Sequence, residues 1–249
     1  MLDIKFVRRT VRRRREHTPL CDRGETMNMD APLIVGIGGA LRDGSTSERA
    51  LRIALGEAER LGARTRIFAG QLLNIAAYDP AEKNRSVVAA ELVDALRCAD
   101  GIIIATPSYH GSISGLIKNA VDYAEDLRKD TRVYFSGRAV GAIVCADGIQ
   151  AMGSTLATLR AIIHALRGWP TPFSATINSA LRPFTADGKC TDPPVAQQLA
   201  FVARQVVEFA RMRLLYQATQ LGLDRETIVA GEPNQHGARL IELTLELMN

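Results

Sequence analysis

The amino-acid sequence predicts an α/β fold, a doubly wound five-stranded parallel sheet with helices on both faces. Two observations lead to this fold class. Apolar runs without polar alternation, such as Leu33–Ile37 and Gly101–Ala105, are typical of strands buried on both faces of a sheet. Segments with helical periodicity separate these runs, and each parallel return of the chain needs such a crossover.

The predicted elements alternate from Pro32 onward. Strands are expected at Leu33–Ile37, Thr65–Phe68, Gly101–Ala105, Ala139–Cys145 and Pro172–Asn178. The first helix is expected to follow a cap at Ser45 or a neighbouring residue and to continue through Leu61. Later helices are expected at about Arg85–Cys98, Ser114–Leu127, Ser154–Arg167 and Pro194–Gln220. The sequence therefore predicts one domain over residues 30–221, with a basic tail at 1–29 and an extension at 222–249.

The net charge of +4 is not spread evenly along the 249 residues. Residues 1–26 hold eight basic and four acidic side chains, so the rest of the chain is balanced and no nucleic-acid partner is expected. The tail has three interpretations: a disordered arm, a segment translated ahead of a start at Met27 or Met29, or a polybasic contact for an anionic partner. The first two are favoured because no aromatic residues are interleaved with the arginines.

The cysteines and histidines give no sign of a metal site. The four cysteines are scattered without CxxC spacing, and the four histidines show no HExxH pattern. Neither a disulfide framework nor a zinc site is expected, and a reducing cytoplasm fits best. Since no secretory or transmembrane segment is visible, no membrane partner is expected either.

The first of three polar loops follows the strand at Leu33. It contains Gly39, Arg42, Ser45, Thr46 and Ser47. A helix N-terminus presents unpaired N–H groups and a partial positive charge, and a guanidinium and hydroxyls add further donors. The loop is therefore predicted to hold a terminal monophosphate. An ordinary strand-to-helix turn rich in Gly and Ser is the alternative interpretation.

Two commoner glycine-rich phosphate motifs are excluded. Leu41 stands where a dinucleotide fingerprint needs its third glycine, and the second strand ends without an acidic residue to hold a ribose. The Gly-Lys-Ser/Thr of a Walker loop is missing. Ser45 or a neighbouring residue is instead predicted to cap the first helix, with Glu48 completing a capping box.

Two further loops follow predicted strands at the same edge of the sheet. The second, Thr106–Ser114, offers Pro107, Ser108, Tyr109, His110, Gly111 and Ser112, and the third, Ala146–Ser154, offers Asp147 and Gly148. Tyr109 presents an aromatic surface and Gly111 allows close approach of the backbone to a flat ligand, although a capped helix start with a core tyrosine is the alternative. Because the third strand is expected beside the first, these loops should meet at the topological switch point.

The chain between Pro32 and Ile177 resembles the NAD(P)H-dependent FMN reductase family of flavodoxin-like proteins. Two motifs carry the resemblance, Gly39-x-x-Arg42-x-x-Ser45-x-Ser47 and Pro107-x-Tyr109-x-Gly111-Ser112-x-x-Gly115-x-x-Lys118-Asn119-x-x-Asp122. The resemblance implies FMN, with its phosphate in the first loop and its ring against the second and third loops. The chain departs from the family pattern at Ala40, where serine is common, and at Ser47, where asparagine is frequent.

The resemblance also implies a reaction. A nicotinamide of NADPH or NADH delivers hydride to FMN, which passes electrons to a small-molecule acceptor, so no catalytic acid, base or nucleophile is expected in the chain. The first hypothesis is a flavin reductase that supplies reduced FMN to a flavin-dependent monooxygenase. The alternatives are an FMN-bound reductase of quinones, azo dyes or metal oxyanions, an electron carrier of the flavodoxin type, and a scaffold that has lost FMN. Electron carriers are usually acidic, whereas this core is neutral.

The resemblance implies a homodimer or homotetramer with sites near subunit interfaces. Residues 236–249 end in an apolar run and are expected to help cover such an interface. Arg128, Lys129 and Arg182 are candidates for binding the 2′-phosphate of NADPH.

Overall fold

The computed structural model describes residues 31–220, so the predictions for residues 1–29 and 222–249 lie outside the described residues. The seven strands are β1 (Leu33–Gly38), β2 (Arg64–Ala69), β3 (Gly101–Tyr109), β4 (Ser112–Ile113), β5 (Ala139–Ala146), β6 (Trp169–Pro170) and β7 (Ala175–Asn178). The five α-helices of this described range are α1 (Thr46–Arg60), α2 (Val87–Cys98), α3 (Gly115–Asp122), α4 (Ile149–Ala165) and α5 (Pro193–Gln220).

The strands form one sheet in the order β2-β1-β3-β5-β6, and neighbours along this path are parallel. The predicted fold class is confirmed. The last predicted strand, Pro172–Asn178, is shortened to β7, and the short strand β6 before it was not predicted. Both strands pair with β5, and Pro172, which has no N–H to donate, lies between them. The remaining strand, β4, pairs antiparallel with the end of β3.

Helices cover both faces of the sheet, with separate apolar clusters on the two sides. Three sheet glycines let α1 and α5 approach closely. A Cβ atom added at Gly36, Gly101 or Gly141 would lie 2.5–2.6 Å from a leucine or valine carbon of these helices. The sheet therefore has no room for larger residues at these positions.

The second predicted loop is largely a β-hairpin. Strand β3 continues four residues beyond the predicted Ala105 and turns back into β4, with Tyr109 opposite Ser112. The two residues of the turn, His110 and Gly111, have φ values of +52° and +77°, as a type I′ turn requires. The prediction of a loop over Thr106–Ser114 is therefore corrected to a hairpin. The sequence does not signal this turn clearly, because histidine is less usual than Asn or Gly at its first position.

Two predicted helix boundaries are corrected. Helix α4 begins at Ile149, five residues before the predicted Ser154, so the third loop is reduced to Asp147 and Gly148. Gly148 caps this helix without a side-chain hydrogen bond, and the sequence therefore lacks the usual start signal. Helix α3 ends at Asp122 and continues as a 3₁₀ turn to Leu127.

One cysteine also departs from expectation. Cys98 is disulfide-bonded, whereas Cys145 and Cys190 are free thiols. Spacing along the sequence detects only local motifs, because the pairing of distant cysteines is set by tertiary structure.

An ion pair fixes the segment between β2 and α2. Arg85 donates to both carboxylate oxygens of Asp126 at 2.8 and 2.7 Å, and the Tyr78 hydroxyl donates to the same carboxylate at 3.2 Å. The guanidinium also lies 4.6 Å from the Tyr78 ring centre. The hydrogen bonds from Arg85 hold the pKa of Asp126 below its usual range.

We expect Gly111→Ala and Gly153→Ala to change stability in opposite directions. A Cβ at Gly111 would be strained at positive φ and would lie 3.1 Å from the Ser154 hydroxyl, so unfolding should become easier by about 1–2 kcal/mol. Gly153 is an exposed residue inside α4 with open space around it, so alanine should stabilise by about 0.5–1 kcal/mol. Urea unfolding of both variants measures the difference, and equal effects would contradict the hairpin geometry.

Asp126→Asn should destabilise the protein by about 1–2 kcal/mol at pH 7. Because the folded-state pKa of Asp126 is lowered, its ion pair stabilises the protein above the unfolded-state pKa near 3.9 and is lost as pH falls through the folded value. Urea unfolding of both proteins at pH 7 and at about pH 3 should show the stability difference shrink with acid. A difference independent of pH would contradict this assignment.

Candidate functional site

The candidate site lies at the switch point of the sheet. Strand β1 stands between β2 and β3, and the chain crosses from one side of β1 to the other after β2. The loops that follow β1 and β3 therefore leave in different directions and open a crevice beyond the strand ends. Gly38 is aligned with Ala105, and the Gly39 N–H donates to the Ala105 carbonyl at 3.2 Å, which joins the two strand ends.

The Ser45 hydroxyl closes the first loop. It accepts hydrogen bonds from the N–H groups of Ala40 at 3.2 Å and Glu48 at 3.3 Å, and it lies 3.4 Å from the Ser47 hydroxyl. Ser45 is 4% exposed and Ser47 is 1% exposed, so both hydroxyls lie inside the turn. The predicted helix cap at Ser45 is confirmed. These two hydroxyls fix the shape of the loop.

Glu48 completes the cap in a modified form. Its Oε2 accepts from the Gly44 N–H at 3.1 Å, one residue before the N–H that a capping box uses. Its Oε1 accepts from Arg52 Nη2 at 2.7 Å and from Nε at 3.0 Å. The negative charge beside the helix N-terminus is therefore compensated by Arg52.

The outward side of the first loop carries Arg42 and Thr46. Arg42 is exposed and makes no hydrogen bond or ion pair with another residue in the described part of the chain. Gly39 has φ of +94°, and an added Cβ would lie 3.3 Å from both Glu48 Cβ and Gly70 N. The close neighbours and the positive φ explain why glycine stands at position 39. The loop combines the N-terminus of α1, a guanidinium and a hydroxyl.

The second loop is held by buried hydroxyls. Thr106, which is fully buried, accepts from the Ser114 N–H at 3.1 Å and donates to the Pro107 carbonyl at 2.8 Å. The Ser108 hydroxyl lies 2.6 Å from the hydroxyl of Thr155 in α4. The hairpin is thereby fixed against α4, and Tyr109 remains 54% exposed near its tip.

The third loop lies beside the hairpin. Asp147 and Gly148 are exposed, and Ile149 at the start of α4 is 81% exposed. The turn at Gly111 packs against Ser154 one turn further along α4. The structure thus places the second and third loops side by side, and the bond between Gly39 and Ala105 connects the first loop to them.

Three contributors were missed by sequence analysis. Thr106 and Thr155 anchor the second loop, and Gly70, with φ of +57°, lies beside the first. Gly70 lies two residues after the end of the predicted second strand, and a glycine there is a turn signal visible in the sequence. The contact of Thr155 with Ser108 spans 47 positions and has no local signal.

Other reactive groups near the strand ends do not suit catalysis. Burial raises the pKa of the Cys145 thiol at the end of β5, so this thiol is a poor nucleophile at neutral pH. Within residues 31–220, no group of three or more His, Cys, Asp or Glu side chains could hold a metal ion. No helix in this range is long and apolar enough to cross a bilayer.

The residues predicted to bind the 2′-phosphate of NADPH do not all line one cavity. Arg128 and Lys129 line a cavity of about 410 Å³ together with Lys83, Arg85 and Tyr78. Arg128 is paired there with Glu125 at 3.3 Å. Arg182 follows the 3₁₀ turn after β7 in a left-handed conformation.

Sequence comparison finds a matching family and a relative that is similar over part of its length. Residues 32–181 match the family model described as NADPH-dependent FMN reductase. An FMN-dependent NADPH-azoreductase of Staphylococcus aureus (strain USA300) is 39% identical over 82 residues, which are 33% of this chain and 40% of that protein. The chain therefore aligns with about two fifths of the length of this relative.

Structural comparison finds similar folds at low identity. FerB from Paracoccus denitrificans, a flavoenzyme NAD(P)H:(acceptor) oxidoreductase, has a TM-score of 0.57 at 22% identity, with 74% of this chain and 99% of FerB covered. RosB with a bound flavin-phosphate intermediate has a TM-score of 0.58 at 16% identity, with 78% and 89% covered. The structures share the fold, and the family match covers more than half of the chain. The chain therefore belongs to the NADPH-dependent FMN reductase family.

Proposed function

We propose that the protein is an NAD(P)H-dependent FMN reductase that transfers hydride from NAD(P)H to FMN. The observation that carries the proposal is the first loop, which presents Arg42, Thr46 and the N-terminus of α1 at the switch point. Sheets of this type bind ligands in that crevice. Membership in the family supports FMN as the ligand.

The first loop fits a phosphate group. The guanidinium of Arg42 and the hydroxyl of Thr46 supply donors, and the dipole of a 15-residue helix favours negative charge at its start. Glu48, the acidic residue in the first turn of α1, is compensated by Arg52 and does not repel the ligand strongly. Ser45 and Ser47 act indirectly, because their buried hydroxyls keep the loop in shape.

The second and third loops fit the flavin ring. Tyr109 offers an exposed aromatic surface, and Pro107, Ser108, His110, Gly111 and Ser112 form the hairpin that supports it. Asp147 and Gly148 provide exposed backbone beside the hairpin. When bound, FMN supplies the redox chemistry, accepting hydride and passing electrons to a small-molecule acceptor. The side chains bind and orient the ring and the nicotinamide, and none is required as an acid or base.

Two acceptors are proposed. In the first, reduced FMN leaves the protein and serves a flavin-dependent monooxygenase. In the second, FMN stays bound and an azo compound is reduced, which the 82-residue similarity to an FMN-dependent NADPH-azoreductase favours. Gel filtration of the FMN-loaded protein separates the two, since a released cofactor elutes apart from the protein. We further propose a homodimer or homotetramer, as the family resemblance implies.

Arg42→Ala should weaken FMN binding by one to two decades with little effect on hydride transfer at saturating FMN. Loss of one charge-assisted contact is worth about 1.5–3 kcal/mol, and the phosphate is remote from the reacting ring. Fluorescence quenching gives the FMN affinity and stopped-flow absorbance gives the transfer rate. Arg60→Ala is the matched control, because Arg60 is exposed at the other end of the same helix. Equal FMN affinity in both variants would refute the phosphate assignment.

Tyr109→Ala should show the opposite pattern. Its ring is expected beside the flavin or along the nicotinamide path, so the rate of hydride transfer should fall by about tenfold or more even when FMN is saturating. Tyr216→Ala is a suitable control, since Tyr216 is similarly exposed but lies on α5. If the two tyrosine variants transfer hydride equally fast, the second loop does not contact the reacting groups.

A further inference from the structure

An apolar groove lies at the opposite edge of the sheet from the candidate site. It has a volume of about 450 Å³ and is lined by Gly137, Trp169, Phe209, Met212, Arg213 and Tyr216. Trp169 is aligned with Ala139, the first residue of β5, which places the groove at the amino ends of the strands. Trp169 is 60% exposed, and Met212 and Tyr216 are each 52% exposed. Large apolar side chains gathered at one place are typical of a contact surface.

A buried polar atom in the groove also needs a partner. Arg213 Nε is buried and has no hydrogen-bond partner among residues 31–220. Its guanidinium carbon lies 5.2 Å from the Tyr216 ring centre. A buried N–H group without an acceptor is costly, so the groove favours an occupant that supplies a carbonyl or carboxylate oxygen beside apolar groups.

The chain itself contains a segment that combines apolar side chains with carbonyl and carboxylate oxygens. Helix α5 ends at Gln220, four residues after Tyr216, so the next 29 residues begin about 6 Å along the helix axis from the groove. Residues 241–247 read Ile-Glu-Leu-Thr-Leu-Glu-Leu. In an extended chain this alternation places the four apolar side chains on one face and the two glutamates on the other, with carbonyl groups between them.

The connection is long enough for the segment to reach the groove. Twenty residues separate Gln220 from Ile241, and a flexible chain of that length has an end-to-end distance of about 22–27 Å. Tethering also raises the effective concentration of the segment to about the millimolar range, which favours it over a second copy of the protein at micromolar concentration.

We propose that residues 241–247 of the same chain bind in this groove. The leucine face packs against Trp169, Met212 and Tyr216, and a carbonyl or glutamate oxygen of the segment accepts from Arg213 Nε. The expectation that residues 236–249 help to cover a subunit interface stays a separate prediction. Binding of residues 241–247 in the groove does not depend on the proposed reductase activity.

Trp169 is the only tryptophan in the chain and reports directly on the groove. In the full-length protein, we expect blue-shifted emission and weak quenching by acrylamide. In the double variant L243D/L245D, emission should shift to the red and the quenching constant should rise about twofold or more, because charged side chains oppose burial. Thr244→Asp is the matched control, since it adds charge on the other face and should behave like the wild type.

A second variant, in the groove itself, keeps the test valid if L243D/L245D misfolds. Met212→Asp should expose Trp169 in the same way, and normal far-ultraviolet circular dichroism and cooperative urea unfolding should confirm that the fold is kept. If acrylamide quenches Trp169 as readily in the wild type as in L243D/L245D, the proposal is wrong. The proposal is also wrong if protection of Trp169 from quenching and the molar mass from light scattering both increase with protein concentration. A second copy of the protein would then be the occupant of the groove.

Discussion

The buried hydroxyl of Ser45 joins the end of β1 to the start of α1, and the geometry of the candidate site depends on this connection. By accepting hydrogen bonds from Ala40 and Glu48 it fixes both sides of the turn at once. Arg42 and Thr46 are then left on the outer side of the loop, where the helix N-terminus lies. The Arg42 guanidinium is exposed on this loop and has no hydrogen-bond or ion-pair partner among residues 31–220.

The loop and the cap could be predicted because their signals are local. A buried apolar strand, a glycine, a hydroxyl cap and an amphipathic helix follow one another within thirty residues, and the general crossover rule places β3 beside β1. The hairpin could not be predicted, since His110 in a left-handed conformation has no common sequence signal. The early start of α4 was hidden because Gly148 offers no capping side chain. The contact of Ser108 with Thr155 joins distant positions, which local patterns do not encode.

The two edges of the sheet have different chemistry for a topological reason. Parallel strands end at one edge, so the polar loops after β1, β3 and β5 gather there. At the opposite edge lie the starts of β5 and β6 and the second half of α5. Trp169 and Met212 are exposed there. The glycines at 36, 101 and 141 let α1 and α5 lie close to the sheet between these edges. Binding of a charged cofactor and burial of an apolar segment are thereby separated in space.

The central claim is that the first loop binds the phosphate of FMN, and a comparison of FMN with riboflavin tests it most directly. The two ligands share the ring and the ribityl chain, and only FMN carries the phosphate. Titration of the wild-type protein with each ligand, followed by fluorescence quenching, should show FMN binding tighter by about 100-fold or more, the sum of two or more charge-assisted contacts. Equal affinities for FMN and riboflavin would contradict the account.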